Sequence, residues 1–444
     1  MPNSKHAPSR RQFLGSTAAA FAALTASGCM TRGVGAGNAA ASPYGALVPD
    51  PEGVLDLPPG FSYRVLSRLG EPMADGEPVP DAADGMGCFD LGAGRLALVR
   101  NHELTPKPEN LGRRAPAFDT SAGTTRSLPG GTTTLVLDAS TLEVEREFRS
   151  LAGTIRNCAG GITPWNSWLT CEETTATVAE ASGQITQDHG WVFEVPASAT
   201  GLVDPVPLKA MGRFNHEAAA VAPETGIVYL TEDREDSLLY RFIPEVRGKL
   251  ARGGRLQALV SPAASDSRNW SDAAVRVGAD MPVRWLDLDD VESPQDDLRQ
   301  RGHAAGAMLF ARGEGIHMGE GELYFCCTSG GAAKQGQVFR LKLGMPGSER
   351  LSLFFESTSP DQFSYGDNIC VAPSGHLVVC EDQYGLIVDN YLRGITPAGA
   401  PYPLARVRLQ TEPAGACFSP DGRTMFLNLY SPTMTLAITG PWLS

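Results

Sequence analysis

No Cys-X-X-Cys pair occurs in this 444-residue chain, although it has nine cysteines. That speaks against a zinc ribbon and against a thioredoxin-type redox motif. No Gly-X-Ser-X-Gly elbow and no Gly-X4-Gly-Lys-Ser/Thr loop is present, so serine-hydrolase and phosphate-loop readings lack support. Positive charge is scarce: 37 Lys and Arg stand against 50 Asp and Glu, a net charge of -13. Such a chain is a poor partner for nucleic acid or an anionic membrane surface. The apolar run from Phe13 to Ala26 is too short to span a bilayer, and no other segment is long and apolar enough.

What the chain does have is turn residues and a recurring hairpin. Its 49 glycines and 33 prolines fit a turn-rich all-β protein. The clearest unit runs from Arg156-Asn157-Cys158 through a turn at Pro164 to Ser167, then along an apolar strand to Glu172-Glu173. A hairpin brings its two ends together, so Cys158 is expected beside Glu173. The unit recurs from Asn215-His216-Glu217 to Glu232-Asp233, from Arg312-Gly313-Glu314 to Cys326-Cys327, and from Gly366-Asp367-Asn368 to Glu381-Asp382. Weaker copies run from Gly87-Cys88-Phe89 to His102-Glu103, and from Ala414-Gly415-Ala416 to Leu427-Asn428. Repeated β units of about 40–50 residues, with longer intervals absorbing insertions, mark propeller blades. The expectation is an all-β, six-bladed propeller over residues 46–444, with a loop-like insertion at 261–306 that contains a short helix near Asp296 to Ala304.

Residues 1–45 read as an address and a tether. Ser9-Arg10-Arg11-Gln12-Phe13-Leu14 is a twin-arginine signature, followed by a signal h-region. It implies the twin-arginine export machinery as a partner, and a periplasmic or extracellular location. Cys29 is a candidate lipid anchor; Ala26 stands three residues before it, where a larger aliphatic is usual. Cleavage within Ala39 to Ser42 is the alternative.

If the hairpins are equivalent, their ends meet at one mouth of the channel. Glu103, Glu173, Glu217, Asp233, Glu314 and Asp367 would crowd there, with Glu172, Glu232, Glu381 and Asp382 close by. Like charges at that density cannot all ionise uncompensated. Arg156 and Arg312 are the nearest cations and do not suffice, whereas bound metal would. Oxygen donors suit calcium or magnesium, and a thiolate among them suits a transition metal such as iron. The competing reading is acids in solvated turns and ladder salt bridges. Cys158 could equally be a buried thiol, or a nucleophile with His102 or His216 as its base. Cys171, Cys326, Cys327 and Cys380 lie in apolar runs and read as small buried hydrophobes. Trp165 and Trp168 read as packing. Arg312 is either a surface cation or a planar clamp for a phosphate.

The ordered set of motifs resembles the PhoX family of exported bacterial alkaline phosphatases. It comprises the twin-arginine leader, Asn101-His102-Glu103, Asn157-Cys158-Ala159-Gly160-Gly161 with Thr170-Cys171-Glu172-Glu173, Phe214-Asn215-His216-Glu217-Ala218, Thr231-Glu232-Asp233, Ala311-Arg312-Gly313-Glu314-Gly315, Gly366-Asp367-Asn368 and Phe418-Ser419-Pro420-Asp421-Gly422. The resemblance implies a six-bladed propeller that hydrolyses phosphomonoesters with two ferric ions (Fe3+), three calcium ions (Ca2+) and a bridging oxo group. It places the iron-ligating cysteine on Cys158 and the phosphate-holding arginine on Arg312. Glu173, Glu217 and Glu314 follow as acidic ligands, and Glu103, Asp233, Asp367 and Asp382 complete the candidate set. Asn101 joins Arg312 as a candidate catalytic side chain. The chain is expected to act as a monomer, and it is shorter than the larger members, which bears on substrate range. Two other classes stay open: a calcium-dependent propeller hydrolase of another ester or lactone, and a non-catalytic binding module.

Overall fold

The apolar strands of the hairpins carry no polar alternation, because both faces of each sheet are covered. Leu323 to Cys327 shows how this works. Phe325 and Cys327 pack towards Ala218, Ala220 and Tyr229 of one neighbouring sheet, while Tyr324 and Cys326 pack towards Ile369, Leu377 and Val379 of the next. Such two-sided burial turns a strand into a continuous apolar run. The same interleaving joins every adjacent pair of sheets, so the core is a set of seams between blades.

In this computed structural model, residues 41–443 are described, apart from residues 182, 183 and 346. The twin-arginine signature, the h-region, Cys29 and Ala39-Ala40 lie outside them. Six antiparallel sheets form a ring, a six-bladed β-propeller. Their innermost strands are Ala83–Gly92, Asn157–Ile162, His216–Val221, Gly313–Met318, Gly366–Val371 and Pro413–Phe418, and each touches the next around the channel. Their hairpin partners are Arg95–His102, Ser167–Glu172, Val228–Glu232, Glu322–Cys327, Leu377–Glu381 and Thr424–Leu429.

The ring is closed by the start of the chain. Ser62–Arg68 is the outer strand of the sixth blade, paired along Met434–Thr439, and Leu55–Asp56 edges the fifth. The insertion after blade three is a staple. Arg284–Asp287 edges blade three, Asp280–Pro282 edges blade four, and Leu298–Ala304, the one α-helix among the described residues, follows. The eight described cysteines are all buried and free, as small hydrophobes inside sheets should be.

Three of the acids expected near the mouth turn out to brace blades. Successive strand residues face opposite ways, so Glu172, Glu232 and Glu381, each the last residue of its strand, point into the sheets. Glu232 accepts from the Tyr240 hydroxyl at 2.7 Å, and Glu381 pairs with Arg393 at 2.7 Å. Glu172 accepts from the backbone of Ile155, Gly190 and Trp191 and lies 2.6 Å from His189 Nδ1; Nε2 of that ring lies 3.2 Å from Asp119. Burial alone would lower the His189 pKa, but the two carboxylates outweigh it and raise it to about 9. The imidazolium's contribution to stability is therefore complete below the ordinary histidine pKa and lost as pH rises through 9. The thermal midpoint is expected to fall between pH 6.5 and 9 in the wild type, and His189→Gln should flatten that fall. A parallel decline in both proteins would refute it.

Candidate metal centre

Each inner strand carries a bulge at the same end. In five blades a strand residue pairs normally, the next two face one residue of the partner, and pairing then resumes. The first bulged residue is Asp84, Cys158, Glu217, Glu314 or Asp367. Bulges re-aim side chains, and the donor atoms of these five, from five different blades, fall into groups whose members lie within 4.8 Å of one another. In blade six the bulge comes one step later, at Gly415-Ala416, and offers no donor side chain.

Two further layers lie above the bulges. The residue that follows each hairpin's second strand donates its N–H to the carbonyl of the residue entering the first strand. The pairs are Glu103 to Ala82, Glu173 to Arg156, Asp233 to Asn215, Thr328 to Arg312, Asp382 to Tyr365 and Tyr430 to Glu412. Ala82, Arg156, Arg312 and Tyr365 hold positive φ between 50° and 56°, a region non-glycine residues seldom occupy. The shared conformation turns Arg156 and Arg312 towards the cluster from two different blades.

The donors meet. Ligand atoms of Asp84, Glu103 and Cys158 lie within 4.8 Å of one another, as do those of Cys158, Glu173 and Glu217, and those of Glu217, Glu314 and Asp367. The Cys158 thiol sits 3.2 Å from Glu217 and 3.5 Å from Asp84. Burial pushes the Cys158 thiol well up, and the surrounding carboxylates push it further. Burial first, then neighbouring like charge, likewise raises Asp84, Glu217 and Glu314 well above the carboxylate range. The same causes put Asp367 at about 7, and burial puts Glu173 at about 8 despite Arg156.

Two guanidiniums answer nine carboxylates: Asp84, Glu103, Glu173, Glu217, Asp233, Glu314, Asp367, Asp382 and Glu412. Arg156 pairs with Glu173 and, at 2.8 Å, with Glu103. Arg312 grips Asp233 through Nε at 2.6 Å and Nη2 at 3.0 Å, and Nη2 also reaches Glu314 at 3.0 Å. On the opposite edge of its fork Nη1 meets the Tyr384 hydroxyl at 3.2 Å, and Nη2, which it shares with Asp233 and Glu314, reaches the same hydroxyl at 3.2 Å. Asp84 Oδ1 and Glu217 Oε2 are buried with no partner at all. Buried carboxylate oxygens without partners carry a large desolvation cost. A hard, oxygen-rich set with one thiol among it fits cations of both the calcium and the iron kind.

Other expected site residues have other places. Asn101 is buried. Its amide donates to the carbonyls of Cys158 and Ala159 at 2.9 and 2.8 Å, while its oxygen accepts from Trp168 at 2.9 Å. It latches blade one to the bulge of blade two. Its neighbour His102 points into blade one, bonded to Asp81 and Thr133. His216 lies against Phe214 and its Nε2 contacts the Gly212 carbonyl. Neither ring serves Cys158 as a base. Asp382 stands beside Glu412, at the edge of the cluster next to Asp367.

Asp84, Glu412, Tyr384 and Tyr430 were not expected at the site. Asp84 opens its bulge as Glu314 does, followed in both cases by glycine, and that Asp-Gly/Glu-Gly echo was the available signal. Tyr430 occupies the position of Glu103 and Glu173 in blade six, and its hydroxyl donates to Glu103 at 2.7 Å.

The sequence profile described as alkaline phosphatase PhoX matches residues 42–433. No curated protein matches the chain. Among solved structures, Pseudomonas fluorescens PhoX in complex with vanadate, a transition state analogue, is similar at a TM-score of 0.67 and 19% identity, covering 87% of this chain and 96% of that one. The Xanthomonas campestris gluconolactonase XC5397 is similar at a TM-score of 0.42 and 14% identity, covering 90% and 98%. At these identities the structural likeness bears on the fold alone.

Proposed function

Because the chain belongs to the alkaline phosphatase PhoX family, and is thus a phosphatase acting on phosphoesters, we propose that it hydrolyses phosphomonoesters at the channel mouth with two ferric and three calcium ions held there. The observation that carries this reading is the uncompensated buried charge, with Asp84 Oδ1 and Glu217 Oε2 left unpartnered. Cys158 is the soft donor suited to iron. Glu103, Glu173, Glu217, Asp233, Glu314, Asp367 and Asp382 are the carboxylate ligands, joined by Asp84. When bound, such ions supply Lewis-acid polarisation of phosphoryl oxygens and activation of water.

The chain's own groups do the rest. Asp233 fixes one edge of the Arg312 fork, so the guanidinium is oriented before substrate arrives. Its other edge is a two-donor seat for phosphate oxygens. Burial works against its charge, but the carboxylates of Glu314 and Asp233 outweigh it and keep that guanidinium charged. No serine stands among these groups, so hydrolysis proceeds without a phosphorylated side chain. Asn101 is a positioning residue that holds the Cys158 bulge.

In our reading residues 1–45 direct twin-arginine export to the periplasm or beyond, with Cys29 as a possible site of lipidation, and residues 46–444 act there as a monomeric propeller. Among the described residues no helix is long and apolar enough to cross a membrane. Metal analysis of protein purified without chelator tests the centre. Active, colourless protein that carries calcium but no iron would refute the iron assignment. One residue at the seat gives a further expectation. Tyr384→Phe removes the oxygen that meets both donors of this edge, and inorganic phosphate should inhibit this variant about two- to tenfold more tightly. Weaker inhibition would mean that the hydroxyl helps to hold phosphate.

A further inference from the structure

Among the described residues, only one place exposes several large apolar or aromatic side chains within four positions. Tyr384, Leu386 and Ile387 are 52%, 91% and 84% exposed. They form the tip of the loop between Leu377–Glu381 and Tyr391–Ile395 in blade five. The loop's neck is braced. Gln383 receives the Asn390 oxygen on its N–H at 2.9 Å, its side-chain amide exchanges bonds with Asp389 at 3.2 and 3.3 Å, and Val388 does the same with the Gln410 side chain at 3.0 and 3.2 Å. The Tyr384 ring stands edge-on to Tyr365 at 5.6 Å. Residues 384–387 are held by the two hydrogen bonds from Arg312 to the Tyr384 hydroxyl. A tied neck thus carries two aliphatic side chains out into water, two and three residues beyond the tyrosine that touches Arg312. Isolated exposed apolar residues need no explanation, but a cluster beside a polar seat marks a binding surface.

We infer that this tip is the subsite for the alcohol portion of the phosphoester and that it selects apolar, aryl or alkyl, phosphomonoesters. The inference rests on Arg312 as the phosphate seat. The Tyr384 hydroxyl lies 3.2 Å from both Nη atoms, where a phosphate oxygen would lie. A phosphate that displaces it carries its ester group out past Tyr384, Leu386 and Ile387. Apolar carbon there removes water from both aliphatic side chains, whereas the hydroxyls of a glycerol or sugar ester gain nothing against them.

The test uses the full-length, metal-loaded protein. In the wild type kcat/KM should be higher for 1-naphthyl phosphate than for glycerol 2-phosphate. In the double variant Leu386→Ser/Ile387→Ser the ratio of the two should fall about tenfold, through the KM of the naphthyl ester. Calorimetric binding of 1-naphthylmethylphosphonate against methylphosphonate reads the same preference without turnover. A ratio that does not move in either measurement overturns the subsite, even if the enzyme is a normal phosphatase. A preference for the naphthyl phosphonate that depends on Leu386 and Ile387 upholds the subsite, even if the wild type were to cleave no phosphomonoester and the proposed reaction failed.

Discussion

Arg312→Ala is expected to lose about 10²–10³ in kcat on phosphomonoesters, the usual consequence of removing one donor aimed at developing charge. The geometry makes the loss specific. One edge of the fork is spent on Asp233, and the free edge is presented by a backbone held at positive φ. Charge builds on phosphoryl oxygens as transfer proceeds, so the donors of that edge should strengthen their hold in the transition state. The effect should then appear in kcat as well as in KM. Arg312→Lys keeps the charge but supplies no second parallel donor, and should recover only part of the activity. Removing the guanidinium also strips compensation from Asp233 and Glu314, so metal content has to be measured on the same preparation. Full metal with full activity on a phosphomonoester would mean that Arg312 is only a surface cation paired with acids.

Cys158→Ala is expected to be the most damaging single change at the centre. The thiol lies among Asp84, Glu103, Glu173 and Glu217, and belongs to two of the three donor groups. No other described cysteine belongs to such a group. A ferric thiolate absorbs visible light, so the purified wild type should be coloured and the variant bleached. Iron should fall in elemental analysis, and activity should drop towards background. Cys158→Ser, with a harder oxygen in the same place, should retain calcium without restoring the colour. The fold should survive, because alanine fits a bulge held by Asn101 through backbone carbonyls alone. Retained colour and iron in Cys158→Ala would remove the thiol from the centre.

Much of this arrangement was legible in the sequence because the propeller writes itself repeatedly. Six hairpins gave six blades, and the closing of each hairpin brought Cys158 near Glu173. Phase was harder. Glu172-Glu173, Glu232-Asp233 and Glu381-Asp382 are adjacent acids, and a strand sends neighbours to opposite faces. Nothing in the pair says which member faces the channel until the strand's last hydrogen bond is located. Asn101 precedes His102 in the same strand, and its amide bonds the Cys158 and Ala159 carbonyls of the next blade. Asp84 was missed because its hairpin was read from Gly87, three residues after the bulge begins. The loop tip at Leu386 and Ile387 belongs to no repeat, and only its place beside Arg312 gives it meaning. The pairing of Ser62–Arg68 with Met434–Thr439 was also beyond reach, since contact between a chain's two ends leaves no periodic trace.

That pairing decides when the centre can exist. The hoop is shut by one pairing between remote stretches, Ser62–Arg68 against Met434–Thr439. Residues 62 and 439 must therefore both have left the ribosome before blade six can meet blade one. Until then Asp84 and Asp367, on blades one and five, have no fixed distance between them. A chain threaded through a pore as an extended strand would arrive with its donors scattered along its length. One that is carried as a closed hoop arrives with them already gathered, and with whatever ions it took up on the side where it was made.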